Sequence, residues 1–130
     1  MPLSYLRGRV LVIDDEDDVR HSIVRHLERA GFDVLEVRNV IEALELLRSD
    51  GDIRVVLLDL MMPGLTGWQF REEQLRDPGI AKVPTIVLTG QNVERRDRQR
   101  LRVTDFLVKP VPPDLLIRVV GKYCRPLPRR

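Results

Sequence analysis

Five short apolar runs recur along the chain, at residues 10–13, 34–37, 55–58, 85–88 and 106–108. Segments with a helical rhythm separate them. The first, third and fourth runs are apolar almost throughout, as strands covered by helices on both faces must be. The second carries Glu36 and the fifth is very short, which suits edge strands. Pro84 precedes the fourth run, where a missing N–H is tolerated. Between the runs, Val19, Ile23 and Leu27 repeat every four residues and Gly31 follows as a stop. Asn39 with Glu42 resembles a capping box, with Val40, Ile41, Leu44 and Leu47 as the apolar face and Gly51 at the end. Thr66 with Gln69 forms a second box ahead of Phe70 and Leu75. Pro112 and Pro113 open the last helix, which is expected to bury Leu115, Leu116, Val119, Val120 and Tyr123. Strand then helix, five times over, predicts one α/β domain built on a parallel sheet.

Composition narrows the function classes. The chain has 22 Lys+Arg and 20 Asp+Glu, a net charge of +2, which argues against nucleic-acid binding by bulk charge. No apolar run approaches the length of a membrane span, and the N-terminal apolar stretch is too short for a signal peptide. Cys124 is the single cysteine, so no internal disulfide forms; a reduced, cytoplasmic setting is the expectation.

Polar residues gather at strand ends. The first strand runs into five acids, Asp14, Asp15, Glu16, Asp17 and Asp18, and the third ends in Asp59. The fourth ends in Thr89 and the fifth in Lys109-Pro110. In an open α/β sheet, ligands bind beyond the carboxyl ends of the strands, where the winding reverses. With strands one and three adjacent, Asp14, Asp15 and Asp59 share one site. Three carboxylates repel one another, and a hard dication such as Mg²⁺, which takes oxygen ligands, removes the conflict. A run of acids also suits a solvated helix start with Asp17 or Asp18 as cap, and a lone Asp suits a turn. Four polar strand ends on one sheet edge favour a site.

Asp14-Asp15, the segment 57–67 (LLDLMMPGLTG), Leu88-Thr89-Gly90 and the segment 106–110 (FLVKP) together resemble the receiver domain of two-component response regulators. The resemblance covers about residues 8–124 and implies a flavodoxin-like, three-layer (βα)5 fold, a doubly wound sheet with strand order 2-1-3-4-5. It divides the chain into an extension (1–8), a receiver domain (9–124) and a tail (125–130). It further implies that Asp59 is the phosphoacceptor and that Asp14, Asp15, Asp59 and the carbonyl of Met61 hold Mg²⁺. Thr89 would hydrogen-bond the phosphoryl group and Lys109 would pair with it. Thr89 and Phe106 would form the switch, and the bond before Pro110 would be cis. The phosphodonor would be a phosphohistidine on a sensor kinase or phosphotransfer protein. The domain would catalyse only its own modification. With no output domain after residue 124, output would pass through a protein contact. Two other readings stand beside this one. A phosphorylation-independent docking module would not need the complete site. A Mg²⁺-dependent phosphohydrolase would need an acid where Met61 stands.

The chain departs from the family in places. Phe106 stands where tyrosine is common, so a ring is expected to matter and a hydroxyl is not. The fourth helical segment, 94–103 (ERRDRQRLRV), is polar nearly all round, and such helices are weakly held. It is expected to be short and mobile. Arg102-Val103 replaces the usual Gly-Ala, so the helix end lacks the residue that turns most freely. Met61 and Gln91 lie near positions that tune phosphoryl lifetime, and a lifetime set largely by partners is expected. His21 and His26 lie off the first helix's stripe, as exposed histidines. Trp68 suits packing or a surface contact, and Cys124 is expected to be inert. Arg95, Arg96, Arg98, Arg100 and Arg102, with Arg118, Lys122, Arg125, Arg129 and Arg130, make 10 of the 22 basic residues. They favour an acidic partner at the face formed by the fourth helix, fifth strand and fifth helix, although solvated surface would also accommodate them.

Overall fold

The structure, a computed structural model, describes residues 8–60, 66–90 and 93–126. Ten elements alternate along it: β1 (Arg9–Ile13), α1 (Asp17–Arg29), β2 (Asp33–Val37), α2 (Val40–Ser49), β3 (Ile53–Asp59), α3 (Gly67–Arg76), β4 (Thr85–Thr89), α4 (Arg95–Leu101), β5 (Asp105–Val108) and α5 (Pro113–Val120). The strands form one parallel sheet in the order β2-β1-β3-β4-β5. The two least buried strands, β2 and β5, are its edges.

Alternation along the central strands divides the core into two layers. Leu11 and Ile13 of β1 and Val56 and Leu58 of β3 face one way, with Val40, Ala43 and Leu47 of α2, Phe70 of α3 and Leu101 of α4. Val10, Val12, Val55 and Leu57 face the other way, with Val24 and Leu27 of α1 and Leu116, Val119 and Val120 of α5. Truncating a fully buried leucine such as Leu57 to alanine would cost about 2–5 kcal/mol.

Capping residues fix where helices begin. Asn39 accepts from the Glu42 N–H at 2.8 Å, a cap that contributes about 1 kcal/mol. Thr66 and Gln69 form the full reciprocal box. Gly31, at φ 96°, ends α1 as expected. Several face assignments differ from expectation. In α1 the buried residues are Arg20, Val24 and Leu27, while Val19 and Ile23 are half-buried. The stripe is rotated because Arg20 turns inward to polar partners. Asp17 and Asp18 lie in the first turn of α1 and do not cap it; the N-cap is Glu16, without a side-chain bond. Ile41 is exposed, because α2 presents Ala43 to the sheet instead. Leu115 and Tyr123 are half-buried, and so is His26.

Candidate functional site

Each polar strand end reaches the same edge of the sheet because all five strands run in parallel. Asp59 is the last residue of β3 and Asp14 follows β1, its neighbour. Asp14 is 1% exposed and Asp59 3%, while Asp15 is half-buried. Each of the three offers a carboxylate oxygen, and these oxygens lie within 4.8 Å of one another. Lys109, just after β5, reaches across the ends of β4 and β3 to donate to Asp14 Oδ2 at 2.8 Å, with Asp59 Oδ2 at 3.6 Å. Burial opposes the Lys109 charge, but the hydrogen bond to Asp14 and the charges of Asp14, Asp59 and Glu16 outweigh it, and its pKa is raised. The lysine is therefore a fixed cation at neutral pH.

Backbone contacts set these positions. The Lys109 N–H donates to the Thr89 carbonyl at 2.7 Å, tying the ends of β5 and β4 together. Thr89 is 1% exposed, and the Lys109–Pro110 bond is cis. Asp14 Oδ1 accepts from the Glu16 N–H at 3.0 Å, which orients that carboxylate. Behind Asp59, α3 begins so close that a Cβ on Gly67 would stand 2.3 Å from the Asp59 carbonyl oxygen. Only glycine permits that approach, so Gly67 sets the backbone beneath Asp59. Met61 and Gln91 lie outside the described residues.

One supporting residue, Arg20, is not among the site residues singled out from the sequence. Arg20 donates to the Asp14 carbonyl at 2.9 Å, Glu36 at 2.9 Å and Asp17 at 2.7 Å, bracing the loop that carries the acids. Its spacing with Val24 and Leu27 (i, i+4, i+7) was the available clue. On β5, Phe106 is half-buried, and Arg98 of α4 lies over its ring, 4.7 Å from guanidinium carbon to ring centroid. Of the other residues singled out from sequence, His21 is exposed, Trp68 packs against the α2/α3 side of the core, and Cys124 is buried. Burial pushes the Cys124 thiol up to about 11, which keeps it protonated at neutral pH. An apolar cleft of about 530 Å³ opens beside Lys109, between α1 and the start of α5, lined by Ile23, His26, Pro110 and Leu116 among others.

Donor chemistry at the carboxylate cluster suits a hard cation: the donors are anionic oxygens, with no sulfur or imidazole among the three. Among the described residues, no helix is long and apolar enough to cross a membrane.

Comparison with known proteins agrees with the fold that carries this site. The response regulator receiver domain family matches residues 10–121. Protein PilH of Pseudomonas aeruginosa is 30% identical over 116 residues, covering 88% of this chain and 95% of PilH. The two-component response regulator ORR8 of Oryza sativa subsp. indica is 33% identical over 104 residues, covering 78% of this chain and 86% of that protein. A response regulator receiver protein from Pseudomonas putida superposes with a TM-score of 0.82 at 30% identity, covering 89% of this chain and 97% of that one. The chemotaxis protein CheY4 of Vibrio cholerae shares the fold, with a TM-score of 0.82 at 24% identity, covering 90% and 98%. A parallel sheet ordered 2-1-3-4-5 and a family match over nearly its whole length lead to one conclusion: the chain belongs to the response regulator receiver family of two-component signal transduction.

Proposed function

We propose that Asp59 accepts a phosphoryl group from a phosphohistidine, with Mg²⁺ held by Asp14, Asp15 and Asp59, and that the modified domain signals through a changed protein-binding face. The observation that carries this reading is the cluster of three carboxylate oxygens within 4.8 Å with Lys109 beside it. In the transfer, an Asp59 oxygen attacks phosphorus, the P–N bond breaks with its electron pair going to nitrogen, and the leaving imidazole takes up a proton from water. The catalysis needed is positioning and charge stabilisation, which a buried, braced carboxylate supplies. Three carboxylates, Mg²⁺ and Lys109 sum to zero, and the acyl phosphate adds roughly one negative charge. Bound Mg²⁺ would neutralise charge on the phosphoryl oxygens. Thr89 and Lys109 answer the added charge, Thr89 by hydrogen bonding and Lys109 by exchanging part of its carboxylate pairing. The Met61 carbonyl is assigned as a further ligand on the family resemblance alone. The apolar cleft beside Lys109 gives a phosphodonor protein surface to bury next to the nucleophile.

Output is assigned to the α4–β5–α5 face, with Thr89 and Phe106 as its switch. Arg95, Arg96 and Arg98 are on α4, and Val108 of β5 is 46% exposed. Partial internal pairing, Arg100 to Glu72 and Arg96 to Glu94, leaves this helix cationic. An acidic protein partner fits it. The reading is tested by partner capture with the unmodified protein, with a phosphoryl mimic at Asp59, and with Asp59→Asn. Different partners with the mimic support the switch, and identical partners in all three states favour a phosphorylation-independent module.

A further inference from the structure

The fourth helix has few apolar anchors. It is seven residues long, and Leu101 is its one buried side chain. Val93 and Val103, just outside its ends, pack partly against the core. Its N-cap, Glu94, makes no side-chain cap bond. At its C-terminal end, Arg102 adopts φ 50°, ψ 39°, a left-handed conformation that a side chain disfavours. Some other contact must hold this turn.

That contact comes from α3. Arg71 is 4% exposed, and its guanidinium donates through Nε to the Leu101 carbonyl at 2.8 Å and through Nη2 to the Arg102 carbonyl at 2.6 Å. Its Nη1 donates to Gln74 Oε1 at 2.7 Å and Thr85 Oγ1 at 3.2 Å. Gln74, wholly buried, donates in turn to the carbonyls of Ile80 and Val83, both at 3.1 Å. Thr85, the first residue of β4, is joined to Thr104 in both directions, N–H to Oγ1 at 3.2 Å and carbonyl to N–H at 3.0 Å. Among the described residues no carboxylate pairs with Arg71. Burial, with Arg102 nearby, pushes its pKa down, yet arginine remains charged in proteins. A buried cation on neutral acceptors is unfavourable unless every donor is well directed. The planar fork of arginine can grip two successive carbonyls together, and the single ammonium of lysine cannot.

We propose that Arg71, braced by Gln74 and Thr85, pins the C-terminal end of α4, and that α4 responds to the state of Asp59 by moving about this pinned end. The second half rests on the output reading above. The pinned end joins the beginning of β4, a wholly buried strand, whereas the uncapped end at Arg95 has no buried side chain. A helix held at one end turns as a lever, so its cationic residues near Arg95 travel furthest.

Hydrogen exchange of the full chain tests this. In Arg71→Met, amides 98–104 are expected to exchange at least ~10-fold faster, with β1 and β3 unchanged. Arg71→Lys is expected not to restore protection. The double variant Arg71→Leu/Gln74→Leu replaces the polar network by apolar volume; it is expected to fold and still to leave amides 98–104 exposed. Unchanged protection of 98–104 in Arg71→Met, or a protected α4 in the double variant, would overturn the pin. If Arg71→Met does not fold, the double variant decides. Beryllium fluoride with Mg²⁺, as the phosphoryl mimic, is expected to alter exchange at 95–98 in the unsubstituted protein and leave 101–104 unchanged. Equal changes at both ends would overturn motion about the pin. No change anywhere would overturn the lever and the phosphoryl-switched face together, leaving the pin to stand or fall on the Arg71 variants.

Discussion

Lys109 and Arg71 are both cations withdrawn from water, and they face opposite kinds of partner. Lys109 stands before two carboxylates, Asp14 at 2.8 Å and Asp59 at 3.6 Å. Arg71 stands before two backbone carbonyls, an amide and a hydroxyl. A cation among anions can redistribute its bonds when another anion arrives, because the attraction is long-ranged and tolerant of geometry. A cation among neutral dipoles depends on direction, and loses most of its compensation when any partner moves. The first arrangement suits a site that changes charge. The second suits a fixed structural point. The chain uses one at the end of the sheet where chemistry is proposed and the other at the end of the helix with the fewest buried side chains.

The largest expected break in this contrast is Lys109→Met. It removes the lysine that answers the added phosphoryl charge, and phosphorylation of Asp59 should slow by about 100-fold, measured as the rate of mass gain with a small phosphodonor. The fold should survive, since Mg²⁺ can still offset the carboxylates. Arg71→Met should show the reverse: a loss of about 2 kcal/mol in denaturant unfolding, from carbonyl and side-chain acceptors left unpaired in the core, with phosphorylation rate little changed. Equal effects of both variants on rate would erase the distinction between a chemical and a structural cation.

Smaller changes sharpen it. Arg102→Gly relieves the left-handed backbone at φ 50° and should stabilise the protein by about 1 kcal/mol, read from the denaturation midpoint. A destabilised glycine variant would mean that the Arg102 side chain contributes more than its backbone conformation costs. At Phe106, replacement by Ala should weaken phosphoryl-dependent partner binding, while Tyr should retain it. If Phe106→Tyr impairs binding as severely as Phe106→Ala, the ring is not the switching feature.

Much of this was legible in the residues. Apolar runs separated by capped, helix-periodic segments specify an alternating parallel sheet, and parallel strands necessarily bring their polar ends to one edge. Asp14, Asp15, Asp59 and Lys109 therefore converge as their positions after strands imply. Residues whose chemistry contradicts their burial were harder to place. Arg20, Arg71 and Gln74 resemble solvent-facing helix residues by type, and only their inward partners reveal otherwise. For Arg71 and Gln74 the clue was adjacency to Phe70, wholly buried on the same short helix. The same substitution of polar for apolar contacts rotated the expected stripe of α1 away from Val19 and Ile23. The end of α4 lacks the glycine that would turn most freely; the clamp by Arg71 on the Leu101 and Arg102 carbonyls explains how arginine occupies that turn.

The most direct measurement of the central claim is intact mass after incubation with phosphoramidate, whose P–N bond mimics that of phosphohistidine. The protein should gain one phosphoryl group when Mg²⁺ is present and none when Mg²⁺ is chelated, with the Asp59→Asn variant unmodified in both conditions. An unmodified wild-type protein, or equal modification of Asp59→Asn, would contradict the assignment of Asp59 as the phosphoacceptor.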